Sequence, residues 1–102
     1  MKIDTPVCRY YTSYTGVQLP LKLVNELGNA DLDRRITYFK GHYDQHQRLT
    51  MIEKMVYGEV EFTHRYEYSD DNTLRKAVVV EFDEEPRALV FDEAGNATED
   101  KL

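Results

Sequence analysis

A chain of 102 residues, 41% apolar and with one cysteine, Cys8, is read as a single domain (1–102) with neither an internal disulfide framework nor a cysteine-built zinc site. Its net charge of −6, with no run of Lys or Arg to offset it, opposes a phosphate backbone, so nucleic acid is not an expected partner. No purely apolar run exceeds the four residues Ala77 to Val80 and no basic-then-apolar leader opens the sequence. Neither a signal peptide nor a membrane span is therefore expected, and the cytoplasm is the expected compartment.

Residues 8–24 predict a hairpin, in which Tyr14-Thr15-Gly16 turns the chain between Arg9–Ser13 and Val17–Val24. A two-residue loop at Thr15-Gly16 pairs Cys8 with Leu23, Tyr10 with Leu21 and Thr12 with Leu19 on an apolar face. Pro20, which has no N–H to give, marks an edge strand. The 25–35 stretch is either a polar loop or one helical turn through Leu32 to Arg35, capped by Asn29 or Asp31.

A β-meander is expected over 36–97. A tight turn at Tyr57-Gly58 sets Val56 opposite Glu59, Lys54 opposite Glu61 and Arg48 opposite Glu67 on a charged face. The other face then pairs Met55 with Val60, Met51 with His64 and Leu49 with Tyr66. The next connection, with Tyr68 opposite Leu74, sets Phe62 against Val80 and His64 against Val78. The same register places Tyr43 opposite Leu49. Ala77 to Val80, apolar on both faces, reads as a central strand covered on both sides. Ile52, Thr63 and Val79, with Val56 and Ile36, form a mildly apolar stripe on the back face, for the N-terminal hairpin, the 25–35 segment or a partner to cover. Residues 98–102 are expected to fray as an acidic tail. The fold class is mainly β (α+β if 25–35 is helical): a curved antiparallel meander of about six to seven strands behind an N-terminal hairpin.

The meander reading rests on a phrase written three times: Tyr43-Asp44-Gln45-His46-Gln47-Arg48-Leu49, Tyr68-Ser69-Asp70-Asp71-Asn72-Thr73-Leu74 and Phe91-Asp92-Glu93-Ala94-Gly95-Asn96-Ala97. An aromatic residue closes one run, turn formers follow, and an apolar residue opens the next. The carboxylates in these turns need no metal, since Asp and Asn bond their local backbone there. His42 and His46 likewise read as a solvated turn. No nucleophile elbow or phosphate-binding glycine loop is present.

Glu53 is the misfit, because this register puts it on the apolar face, opposite Phe62 and diagonal to His64. A desolvated carboxylate beside an imidazole is a candidate base with its orienting partner. The competing reading is a Glu that reaches the sheet rim and a His that is hydrogen-bonded within the strand.

Four segments carry a resemblance. Cys8-Arg9-Tyr10-Tyr11 leading into Tyr14-Thr15-Gly16-Val17-Gln18-Leu19-Pro20-Leu21-Lys22-Leu23-Val24, with Glu53-Lys54-Met55-Val56-Tyr57-Gly58-Glu59-Val60 and His64-Arg65-Tyr66-Glu67-Tyr68, resembles small uncharacterised bacterial proteins classed as a domain of unknown function. The resemblance covers the whole chain. It implies a bacterial, soluble, stand-alone domain and transfers no catalytic residue. The threefold phrase is similar to the Tyr-Asp repeats of large bacterial β-shell proteins, but only in turn chemistry, with Asn72 and Gln47 at the expected glycine.

The function expected is a non-enzymatic binding or interaction domain of the bacterial cytoplasm. It would work through a tyrosine-rich sheet face or edge carrying Tyr10, Tyr11, Tyr38, Tyr57 and Tyr66, since tyrosine buries large area at low entropic cost. The alternative is a small-molecule-binding protein or enzyme with a Glu53/His64 pocket. The expected partner is an unknown protein or small ligand, without cofactor, metal or membrane, and the expected state is a monomer or a weak homodimer through a sheet edge.

Overall fold

The computed structural model describes residues 7–16, 18–32 and 34–100. Eight strands form one open antiparallel sheet: β1 (Val7–Thr15), β2 (Lys22–Leu27), β3 (Thr37–Tyr43), β4 (Leu49–Val56), β5 (Glu59–Tyr68), β6 (Leu74–Glu81), β7 (Arg87–Phe91) and β8 (Ala97–Asp100). Their spatial order is β2-β1-β3-β4-β5-β6-β7-β8, so the meander runs in chain order from β3 onward. The count exceeds the expected six to seven because residues 98–100, read as tail, pair with β7. One helical turn, α1 (Asn29–Leu32), lies in the connection from β2 to β3, which has to pass β1 because β1 stands between those strands. Val17, expected to open the second strand of the hairpin, and residues 101–102 of the tail lie outside the described residues.

The three repeated phrases fold into one kind of turn. In each, the second residue donates its N–H to the sixth residue's carbonyl and accepts the fifth residue's N–H: Asp44 with Arg48 and Gln47, Ser69 with Thr73 and Asn72, Asp92 with Asn96 and Gly95. The fifth residue is left-handed every time, at φ 64° for Gln47, 68° for Asn72 and 87° for Gly95. This is the three-residue hairpin loop that ends in a left-handed residue. A carboxylate ties each loop to its own backbone: Asp44 accepts from the N–H groups of His46 and Arg48, Asp71 from that of Thr73, and Asp92 from those of Ala94 and Asn96. Because these hairpins join β3 to β4, β5 to β6 and β7 to β8, all three loops emerge at one end of the sheet. Tyr57 and Gly58, at φ 52° and 79°, form the expected tight turn at the other end.

Three β-bulges correct the expected registers. The ladder shifts by one residue between His42/Tyr43, between Lys54/Met55 and between Glu67/Tyr68. Tyr43–Leu49, Tyr68–Leu74, Val56–Glu59 and Met55–Val60 pair as expected beside the turns, but beyond each bulge the partners change. Ile52 now faces His64, which faces Val79, while Glu53 faces Thr63. A bulge inserts one residue into one strand and so reverses which face every following side chain points to. The supposed back-face stripe therefore splits. Ile52 and Val79 are core residues, and Ile52 is 0% exposed. Val80, thought buried on a doubly covered strand, is 36% exposed. Lys54 still reaches Glu61, at 2.8 Å, whereas Arg48 turns away from Glu67 to bond Asp44.

The core lies on one face of the sheet, where Tyr11, Phe39, Ile52, Tyr66 and Ala77 are buried and Phe62, Tyr68, Leu74, Leu89 and Phe91 pack around them. Its cover is the loop of the N-terminal hairpin, whose strands extend the sheet in a register other than the expected one, with Tyr10 paired to Leu27, Tyr14 to Leu23 and 18–21 outside the strands. Leu19 and Leu21 from that loop join the core, and Leu21 donates its N–H to the Tyr66 hydroxyl at 3.3 Å. Pro20 accordingly sits in the loop, although β2 is an edge strand as expected. A single sheet is stable only when a second layer closes its apolar face, and the 18–21 segment supplies that layer.

Candidate functional site

Glu53 and His64 stand on opposite faces of the sheet. The bulge between Lys54 and Met55 adds Glu61 to β5, so Ile52 rather than Glu53 faces His64 in the core, and the bulge between His42 and Tyr43 adds Thr50 to β4. Glu53 instead meets His42 on the outer face, with Nε2 and Oε1 2.7 Å apart and the two side chains 29% and 21% exposed. Thr50 Oγ1 secures the bulge by donating to the His42 carbonyl at 3.1 Å. His64 has a different partner: its Nδ1 lies 2.7 Å from the Tyr66 hydroxyl. Burial holds the His64 imidazole below the ordinary histidine pKa, and the Leu21 N–H already given to the Tyr66 oxygen leaves the Tyr66 O–H to donate a hydrogen bond to Nδ1. Carboxylate and imidazole do pair in this protein, but the imidazole is one the sequence had assigned to a solvated turn.

The five tyrosines do not make one surface. Tyr66 is 3% exposed and Tyr11 9%, both in the core, and the Tyr11 and Tyr43 hydroxyls bond each other at 2.8 Å. Burial, then that bond, raises the Tyr43 pKa. Tyr10 and Tyr38 meet edge to face on the outer side, ring centres 5.9 Å apart. Tyr57 sits in the tight turn, 77% exposed, with its N–H on the Ile36 carbonyl at 2.9 Å. The grouping rested on tyrosine's suitability for interfaces, and adjacent Tyr10 and Tyr11 in β1 point to opposite faces of the sheet.

The arrangement with binding geometry is the space between the covering loop and the last strands. Leu19, Leu74, Val79, Leu89 and Phe91 line an open groove of about 740 Å³, rimmed by Gln18, Thr73, Arg87, Asp92 and Glu93. Its origin lies in how neighbouring loops meet. Between the first and second loops Arg48 closes the gap: its guanidinium sits 5.3 Å from the centre of the Tyr68 ring and its Nη1 donates to Asn72 Oδ1 at 3.2 Å. Tyr68 returns its hydroxyl to the Leu49 carbonyl at 2.6 Å. Burial, opposed by the Arg48 charge, pushes the Tyr68 hydroxyl up to about 12. Between the second and third loops the matching residues are Thr73, Phe91 and Gly95. Thr73 is too short to cross, Phe91 has no hydroxyl to return, and Gly95 has no side-chain acceptor. The gap stays open and leads into the groove. Comparing the three phrases residue by residue carried this signal; composition and period did not.

Among the described residues no cluster of three or more His, Cys, Asp or Glu side chains is placed to hold a metal ion. No helix among the described residues is long and apolar enough to cross a membrane. A model for a family of unknown function, DUF6156, matches residues 3–100. The chain belongs to that family. No curated protein and no solved structure matches it. For this DUF6156 domain, then, the side chains themselves are the only guide to function.

Proposed function

We propose that this DUF6156 chain is a non-enzymatic binding or interaction domain of the bacterial cytoplasm, with the groove beside the 18–21 segment and β6 to β8 as its working surface. The observation that carries the reading is that the partly exposed Leu19, Leu74, Leu89 and Phe91 line one groove together. A concave apolar floor with a polar rim is the ordinary form of a ligand site. Glu53 and His64, turned to opposite faces, leave the catalytic alternative without its pair. One exposed, unbridged cysteine suits a reducing compartment.

Nile red, a neutral dye that brightens in apolar surroundings, tests the groove. Its fluorescence should rise on the folded wild type and fall by about half or more in Phe91→Ser, at unchanged circular dichroism. Tyr57→Ser, at the opposite end of the sheet, should leave the signal alone. Equal brightness with wild type and Phe91→Ser would remove the groove as the binding surface.

A further inference from the structure

We infer that the open gap between the second and third loops is a receptor for an arginine side chain, carried on an extended peptide segment of a partner protein whose neighbouring apolar residue fills the groove. This rests on the groove reading above and gives it a partner chemistry. The protein holds its own template of the contact. Where the first two loops meet, a guanidinium lies over the Tyr68 ring and donates to Asn72. One repeat further on, the ring is kept as Phe91, while the residue that would supply the cation is Thr73. At Gly95, which matches Asn72, a Cβ would meet nothing within 4 Å, so no neighbouring group stands where the missing side chain would begin. An aromatic face without its cation is therefore left at the mouth of an apolar groove.

Charge around the gap favours a cation from outside. Asp92 and Glu93 stand on one side, and Asp70 and Asp71 line the adjoining recess with Ser69, Thr73 and Arg75. Against these four carboxylates stand two guanidinium groups, of which Arg87 lies 3.9 Å from Glu99. Hydrogen bonds from Ser69 and Thr73 hold the Asp71 carboxyl down to about 2, so it stays ionised at any pH the cell offers. An arginine fits this setting better than a lysine. Its planar fork stacks on an aromatic ring and donates to carboxylates at the same time, where an ammonium is a strongly hydrated point charge. A second copy of the chain is disfavoured as occupant, because it would bring its own net charge of −6 to an acidic rim.

The test is a titration of the ¹⁵N-labelled full chain with acetyl-Val-Arg-Val-amide, with the Lys and Gln analogues alongside. The arginine peptide should shift the backbone amides of 73–75 and 91–96 saturably. The lysine peptide should bind about fivefold or more weakly, and the glutamine peptide should not saturate. Phe91→Leu, which keeps the groove apolar but removes the π face, should weaken the arginine peptide about fivefold while leaving Nile red bound. Thr73→Arg should fill the gap from within, shifting 91–96 in the absence of peptide and abolishing its binding. Equal binding of the three peptides, or unchanged arginine binding in both variants, overturns the inference. If the arginine peptide fails and Nile red still binds, the receptor falls and the groove reading stands; if neither binds, both fall.

Discussion

The hydroxyl of Tyr66 stands between two buried partners, accepting the Leu21 N–H and donating to Nδ1 of His64. It joins the covering segment to the floor of the core, and none of the described buried side-chain polar atoms is left unpaired. Tyr66→Phe should lower unfolding free energy by about 1–3 kcal/mol, the penalty of leaving a buried donor and acceptor unpaired. Burial also gives His64 a folded pKa below its ordinary 6.5, so the folded state binds fewer protons than the unfolded chain. Stability should hold above pH 6.5 and fall as the pH drops below it toward the folded value. Urea unfolding at pH 7.5 and 5.5 measures this, and His64→Gln should flatten the difference. The same pH slope in that variant would show that another group carries it. The turn carboxylates act in a separate window. Burial raises the Asp44 carboxyl, but the Arg48 and His46 N–H groups and the Arg48 charge outweigh it, so the stability it adds is lost only below its ordinary 3.8.

At the scale of elements, the three hairpin loops share one backbone and differ in what occupies it. The left-handed position holds Gln47, Asn72 and Gly95. Left-handed backbone strains a residue that carries a Cβ, by about 1 kcal/mol, and Asn tolerates it better than Gln. Gln47→Gly should therefore stabilise the chain by about 0.5–1 kcal/mol, read from the urea midpoint at constant slope. Arg48→Ala should act in the opposite direction. It removes the bond to Asn72, the contact with Tyr68 and the ion pair to Asp44, together worth about 1–2 kcal/mol at a half-exposed site. No loss on Arg48→Ala would mean that the first two loops are not clasped in solution. The repeats were legible because turn chemistry is local. The bulges beside them were not, because no residue type at Thr50, Glu61 or Arg75 announces an extra position in a strand.

For the molecule as a whole, the decisive act is the closing of the 18–21 segment and the Leu23 side chain over the core face of the sheet. Leu23 of β2 lies so close over β3 that a Cβ built at Gly41 would come within 2.6 Å of its Cδ1, and within 3.2 and 3.3 Å of the Tyr43 and Tyr11 rings. Gly41→Ala should cost about 1–3 kcal/mol, because three neighbours have to move at once in a packed layer. A neutral Gly41→Ala in urea unfolding would mean that the Leu23 side chain stands off from the sheet. This closure also positions the groove, since Leu19 rides on the covering loop while Leu89 and Phe91 lie on the strands it does not reach.

Strand propensity, the threefold phrase and the Tyr57-Gly58 turn by themselves determined an antiparallel meander with its loops at one end, because each depends on residues a few positions apart. Tertiary structure alone decided which residues share a face. Pairing of distant strands absorbs an extra residue wherever the core packs better for it, and each such residue turns the side chains beyond it over. That is why the sequence matched Glu53 to His64, whereas the sheet pairs it with His42. It is also why the groove exists only where the covering loop meets the second and third turns.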